Sequence, residues 1–125
     1  APGKRPLSSM TPVIVARNGK LAYVLGSPGG TTIPATLVEV LLNLIDLKMP
    51  PQAAVDAPRF HHQGQPDRLE FETLPPDVRQ ALARRGYTLH PRGWSQGDVQ
   101  LIAIAADGSR LAASDPRRGG AARGE

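Results

Sequence analysis

The sequence predicts an α+β fold in which helices pack on strands that pair through hairpins. Two observations carry this prediction. Asn18-Gly19 stands between two apolar runs rich in β-branched residues, and this dipeptide is the strongest local signal for a two-residue hairpin turn. A helical apolar pattern over residues 35–47 then follows a glycine-rich loop. Continued along the chain, the patterns give the order β-β-α-(α)-β-β-α-β-β-β, which is a layered arrangement.

The first hairpin has predicted strands at residues 11–17 and 20–26. Both strands are apolar at nearly every position, so we expect both faces of their sheet to be covered. The helix over 35–47 has Thr31 or Thr32 as candidates for its N-cap and Pro34 in its first turn. It is apolar almost all round, which predicts a central helix buried on more than one side, or a missing partner chain.

The second half of the chain alternates short strands and helices. Leu69 and Phe71 are expected to point inward from a half-exposed strand, and a later helix is expected to bury Val78, Ala81 and Leu82. Asp107-Gly108 predicts a second tight turn. The predicted elements are a short helix at 51–57, an extended segment at 59–63, a strand at 68–72, a helix at 76–85, strands at 87–91, 99–105 and 110–113, and a loose tail at 119–125.

Composition narrows the classes of function. With 125 residues, the chain is expected to form a single domain over 1–125. It has no cysteine, which excludes disulfides and thiol chemistry within it, and no run of eighteen apolar residues, so no membrane span is expected. The net charge is +4, but aromatic residues make up only 4% and no basic stripe interleaves with them. We therefore expect no nucleic-acid partner.

The strongest candidate for a catalytic or binding site is the loop Gly26-Ser27-Pro28-Gly29-Gly30, which lies between a predicted strand and the start of a predicted helix. Helix starts carry unpaired N–H groups and partial positive charge, and adjacent glycines let the backbone approach a ligand closely. This geometry suits an anion, or the oxyanion that forms during acyl transfer. The alternative is an ordinary turn.

Two adjacent histidines, His61 and His62, raise the question of a metal site. In a strand they point to opposite faces, so one metal ion cannot easily bind both, and no third ligand stands at a supporting spacing. We therefore expect hydrogen-bonded structural histidines and no metal.

Five motifs follow one another along nearly the whole chain. They are Pro6-Leu7-Ser8-Ser9-Met10-Thr11-Pro12, Gly26-Ser27-Pro28-Gly29-Gly30, Ala57-Pro58-Arg59-Phe60-His61-His62-Gln63, Gly97-Asp98-Val99-Gln100 and Ser114-Asp115-Pro116-Arg117. In order and spacing they resemble motifs of the γ-glutamyltranspeptidase family, in the C-terminal part of the family's small subunit. The fold that this resemblance implies is part of the αββα sandwich of N-terminal-nucleophile hydrolases, with antiparallel hairpins and a buried central helix.

The resemblance implies roles for four residues. Ser8 and Ser9 match the serine pair that binds the α-carboxylate of the γ-glutamyl group, and Gly29 and Gly30 match the glycines whose backbone N–H groups form the oxyanion hole. The family's nucleophile is a threonine exposed by autocleavage at a Thr-Xxx-His motif, whereas threonines of this sequence such as Thr11, Thr31 and Thr32 are internal and lie in other motifs. The one Thr-Xxx-His triplet here, Thr88-Leu89-His90, lies inside the predicted strand at 87–91. The chain is thus expected to supply part of the site, with no cofactor, and to be inactive alone. His61, His62 and Asp115 are interpreted as structural.

The resemblance also implies partners. They are glutathione or other γ-glutamyl compounds, the N-terminal part of the small subunit and the large subunit, together with self-association of the isolated chain. The whole protein is expected to be periplasmic or secreted, like bacterial family members. Two alternatives stay open: a related cephalosporin or glutaryl acylase, and a non-catalytic binding or scaffold domain of the same fold.

Overall fold

The structure, a computed structural model, describes residues 2–5 and 8–124. Its elements follow the predicted order and are β1 (Val13–Arg17), β2 (Lys20–Gly26), a 3₁₀ turn (Gly30–Thr32), α1 (Ile33–Ile45), α2 (Pro51–Asp56), β3 (Phe60–His62), β4 (Leu69–Phe71), α3 (Pro76–Arg84), β5 (Leu89–Pro91), β6 (Gln100–Ile104), β7 (Arg110–Ser114) and a second 3₁₀ turn (Pro116–Arg118).

The larger sheet has the strand order β1-β2-β6-β7, and every neighbouring pair is antiparallel. Its cross-strand row Val13, Leu25, Leu101 and Ala113 shares one face. Helices α1 and α2 cover this face with Leu37, Val40, Leu44, Ala54 and Val55, which form the core together with the strand residues. Burial of this apolar row fixes the register, because a slip by one residue would turn it toward solvent.

The smaller sheet has the order β3-β4-β5. Strands β3 and β4 are antiparallel, whereas β4 and β5 are parallel and are joined through α3. The sequence predicted antiparallel hairpins, so this pair is a departure from the prediction. Its cause is the intervening helix, which returns the chain to the same end of the sheet before β5 begins.

The predicted first hairpin is confirmed. Asn18 and Gly19 have φ of 53° and 73°, the left-handed values that a type I′ turn requires. Helix α1 begins two residues before the predicted start, with Thr32 at its N-cap position and Pro34 in its first turn. Thr32 does not cap the helix with its side chain; its hydroxyl donates back to the carbonyl of Gly29 at 3.0 Å.

The prediction that both faces of the first hairpin's sheet are covered is wrong for this chain. The row Ile14, Val24, Ile102 and Ala112 lies on the other face of the larger sheet, and Ile14 is 74% exposed. The outer side of α1 is also exposed at Val38 and Leu42. We call this row and this helix side the open faces. Exposed apolar residues of this kind are typical of a contact surface, and the described part of the chain does not cover them.

Helix α3 is the second correction. It buries none of its residues: Val78 and Ala81 are exposed and Leu82 is only half-buried. The helix contacts β5 and has no second layer above it in the described part of the chain. Its apolar stripe therefore stays at the surface.

The C-terminal residues 119–124 form no helix or strand, and residues 121–123 border a cleft along β2 and β6. Ala1, Pro6, Leu7 and Glu125 lie outside the described residues, so part of the predicted serine motif does too. No helix among the described residues has the length and apolar character that a membrane crossing needs.

Candidate active site

The glycine loop lies between β2 and α1, as predicted. Gly29 has φ of 149° and Gly30 has φ of 59°, both in the region that favours glycine. A Cβ atom at Gly29 would lie 2.8 Å from the hydroxyl oxygen of Thr32, so this position also has no room for a side chain. A Cβ atom at Gly30 would meet open space.

The backbone N–H groups of the two glycines have no partner within residues 2–5 and 8–124. Neither the Gly29 nor the Gly30 N–H group donates a hydrogen bond there, although the Gly29 carbonyl accepts from Thr32. Gly30 is exposed and Gly29 is half-buried. Two adjacent, unpaired N–H groups at the start of a helix can bind one negatively charged oxygen.

A second loop, residues 95–98, holds the glycine loop in place. The Ser27 hydroxyl accepts a hydrogen bond from the Asp98 N–H at 2.9 Å and donates to the Pro28 carbonyl at 2.7 Å. Gly97 has φ of 74°, and a Cβ atom there would approach Ser27 Oγ to 2.8 Å and Thr36 Cγ2 to 2.9 Å. Glycine is therefore required at this contact.

Gln96 connects this loop to the interior and is fully buried. Its side-chain amide donates to Thr36 Oγ1 of α1 at 3.1 Å, and its side-chain oxygen accepts from Arg92 at 2.7 Å. Its backbone N–H donates to Glu72 at 2.7 Å, and its carbonyl accepts from Arg59. The sequence analysis missed Gln96; the signal that could have found it is the Gly97-Asp98 motif that follows it.

Beneath Gln96 lies a cluster of four charges: Arg59, Glu72, Asp115 and Arg117. Arg59 and Asp115 are both buried and their side chains approach to 2.7 Å. Arg117 contacts Asp115 at 3.1 Å and Glu72 at 2.6 Å. Asp115 also accepts from the Val99 and Arg117 N–H groups. This cluster ties the two sheets and α2 together, which agrees with the structural interpretation of Asp115.

Hydrogen bonds in this cluster outweigh the cost of burial for its carboxylates. Burial alone would raise the pKa of Asp115, but the Val99 and Arg117 N–H groups and Arg59 lower this pKa below its ordinary value. Burial also favours a higher pKa for Glu72. The hydrogen bonds from Arg117 and the Gln96 N–H outweigh this effect, so the pKa of Glu72 is lowered as well. Both groups therefore stay ionised at neutral pH.

The serine pair precedes β1. Ser8 is exposed, and its Oγ accepts from the Met10 N–H at 3.2 Å; Ser9 is half-buried, and its carbonyl accepts from the Thr11 hydroxyl at 2.8 Å. Residues 10–12 border a cavity of about 200 Å³ together with Gly26 and Ser27. The segment directly after the serines thus runs beside the segment directly before Gly29.

The two histidines lie on opposite faces of β3. His61 is buried and hydrogen-bonds Gln63 through Nε2 at 2.8 Å, whereas His62 is exposed and lies 3.0 Å from Asp67. Among the described residues no group of three or more His, Cys, Asp or Glu side chains could hold a metal ion.

The layered α+β fold, with a strand that ends in a diglycine loop at a helix start, is that of the N-terminal-nucleophile hydrolase class. The chain belongs to the Gamma-glutamyltranspeptidase family, whose family model matches residues 1–125.

Three relatives illustrate the match. The chain is 46% identical over 121 residues to the glutathione hydrolase proenzyme of Pseudomonas aeruginosa, covering 93% of this chain and 21% of the relative. It is 39% identical over 114 residues to the Acylase ACY 1 proenzyme of a Pseudomonas species (strain V22), covering 91% and 20%. It superposes on the γ-glutamyltranspeptidase of Pseudomonas nitroreducens complexed with L-DON with a TM-score of 0.90 and 41% identity, covering 100% of this chain and 66% of that one. The chain thus spans about a fifth of the length of its curated relatives.

Proposed function

We propose that this chain is the C-terminal part of the small subunit of an enzyme that transfers γ-glutamyl groups from glutathione and other γ-glutamyl amides to water, amino acids or peptides. The observation that supports this most is the pair of unpaired N–H groups at Gly29 and Gly30. In this proposal they bind the oxygen that becomes negative in the tetrahedral intermediate.

In the proposed reaction the nucleophile is a threonine hydroxyl outside this chain. Its free α-amine takes the hydroxyl proton while the oxygen bonds to the γ-carbonyl carbon. The C–N bond then breaks, the leaving amine takes the proton, and an acyl-enzyme ester remains. Water or an acceptor amine attacks this ester and frees the threonine. The residues of this chain bind and orient the substrate and stabilise the oxyanion.

Ser8 and Ser9 are proposed to bind the α-carboxylate of the γ-glutamyl group. Val13 pairs with Leu25, so the same antiparallel register, continued back along the chain, would bring Ser9 opposite Gly29. The cavity between residues 10–12 and Gly26-Ser27 lies along this path. Its lining suits the methylene groups that join the α-carbon to the γ-carbonyl.

The full-length gene product tests this proposal by its turnover of a γ-glutamyl anilide against a glutaryl anilide, which lacks the α-amino group. The proposal predicts that the γ-glutamyl anilide is hydrolysed with the higher kcat/KM. Preference for the glutaryl anilide would favour the second candidate, an acylase, which the match to the ACY 1 proenzyme supports. No turnover of either would indicate the non-catalytic alternative. The isolated chain is expected to hydrolyse neither.

The proposed partners are the rest of the small subunit and the large subunit, which would cover the open faces. The Pseudomonas aeruginosa relative is a proenzyme about five times longer than the aligned segment, which supports this. We also propose that the whole protein is periplasmic or secreted; its recovery in the cytoplasmic fraction would contradict that.

A further inference from the structure

A second cavity begins at the residue that follows the diglycine. It has a volume of about 170 Å³ and is lined by Thr31, His61, Gln63, Pro66, Arg68 and Glu70. This is room for about six waters at their share of the liquid volume, or for one small amino-acid residue. Since Thr31 directly follows Gly30, a group bound here lies within one or two residues' reach of the proposed oxyanion hole, about 7 Å for two residues.

The lining of this cavity is rich in hydrogen-bond donors. Arg68 is 43% exposed and contacts Glu70 through Nη2 at 2.7 Å. Its Nε is shielded from solvent and has no hydrogen-bond partner within the described parts of the chain. The side-chain oxygen of Gln63 lies 2.8 Å from His61 Nε2, which leaves the amide N–H groups of Gln63 free to donate.

The one acidic side chain of the cavity is neutralised. Glu70 lies 2.7 Å from Arg68 and 3.6 Å from Arg92, whose side chain is buried. The Glu70 carboxylate is thus compensated by two guanidinium groups, of which Arg92 also faces Glu72 and Glu39, and Arg68 keeps N–H groups that Glu70 does not use. A ligand that only accepts hydrogen bonds and carries negative charge suits such a lining, and a carboxylate fits this description.

We propose that this cavity binds the terminal carboxylate of the peptide or amino acid that accepts the γ-glutamyl group, with Arg68 as its specificity-determining residue. The proposal rests on the function proposed above. The acceptor amine would lie at the reacting carbonyl beside Gly29 and Gly30, and its carboxylate would reach Arg68, Thr31 and Gln63. The same subsite would hold the terminal carboxylate of the dipeptide that leaves glutathione.

The test uses the full-length gene product with a γ-glutamyl anilide as donor and two acceptors: glycylglycine, and glycylglycinamide, which lacks the carboxylate. We expect Arg68→Gln to raise the KM for glycylglycine about tenfold, because the variant loses one charge-assisted hydrogen bond to the carboxylate. The KM for glycylglycinamide should change less than twofold, so that the preference for the free carboxylate disappears. Arg68→Lys keeps the charge and should retain part of this preference.

Arg79→Gln is the matched control, because Arg79 is an exposed arginine of α3 outside both cavities. It should leave both acceptor constants unchanged. If Arg68→Gln leaves the preference for glycylglycine unchanged, or changes both acceptors equally, the subsite is wrong while the proposed function stands. If the wild-type protein does not release the anilide, the proposed function fails and the subsite fails with it.

Discussion

Glu39 gives the sharpest prediction about stability. It lies on α1, where Oε1 accepts the Phe60 N–H at 3.2 Å and Oε2 is shielded from solvent without a hydrogen-bond partner in the described part of the chain. Burial raises the pKa of Glu39 to about 7 from an ordinary value of 4.5, against the opposing effects of the Phe60 N–H and Arg59. Glu39→Gln should mimic the protonated form at every pH.

Because the pKa of Glu39 is raised in the folded chain, the folded chain becomes less stable as the pH rises. Between pH 4.5 and about 7 the folded chain keeps a proton that the unfolded chain has released, so the free energy of unfolding falls as pH rises through this window. The rise in pKa corresponds to at most about 3.4 kcal/mol. The side chain is only partly shielded from water, and we therefore expect about 2 kcal/mol.

The assay is urea unfolding of the wild-type chain and the variant between pH 5 and 8.5. The two should agree at pH 5, and Glu39→Gln should be more stable by about 2 kcal/mol at pH 8.5. The other charges near Glu39 are Arg59, Glu72 and Arg117. They are present in both proteins, so the difference between the two curves reports on the Glu39 charge and its interactions with these groups. Asp46→Asn, an exposed carboxylate just after the same helix, is the control. Parallel stability curves for wild type and Glu39→Gln would refute the reasoning.

Three further predictions concern the loop, the charge cluster and the open faces. Gly30→Ala in the full-length gene product should lower kcat at least tenfold. The control is Gly108→Ala, also at positive φ with open space for a Cβ atom, which should leave kcat unchanged. Equal kcat values for the two variants would contradict the role of the glycine loop. Asp115→Asn should destabilise the chain by about 3–5 kcal/mol in urea unfolding, because it leaves Arg59 buried without its counter-charge, and a loss below about 1 kcal/mol would contradict this. The isolated chain should self-associate and bind an apolar dye, and a monomeric sedimentation profile without dye binding would count against the open faces as contact surfaces.

Local signals in the sequence predict most of the fold. The Asn18-Gly19 turn and the apolar spacing of α1 depend on neighbouring residues, and the structure confirms both. The predictions that Ile14 and the apolar side of α3 are buried were wrong. An apolar pattern indicates a face that packs against another surface, but not whether that surface belongs to the same chain.

The candidate site also has a part that the sequence predicts and a part that it does not. The diglycine loop could be predicted, since strand, glycines and helix follow one another along the chain. The support beneath it could not, because Gln96 meets Thr36 and Glu72 across long stretches of sequence. The same holds for Arg59 and Asp115, which come together only in the folded chain. No periodic pattern in the sequence marks such contacts.

The most direct test of the proposed oxyanion hole is a crystal structure of the full-length gene product with a γ-glutamyl phosphonate bound covalently to its nucleophile. The proposal predicts that one phosphonate oxygen lies within about 3.1 Å of the backbone nitrogens of both Gly29 and Gly30, and that the α-carboxylate lies against the hydroxyl groups of Ser8 and Ser9. A phosphonate oxygen that points away from both glycines, or an α-carboxylate held elsewhere, would contradict it.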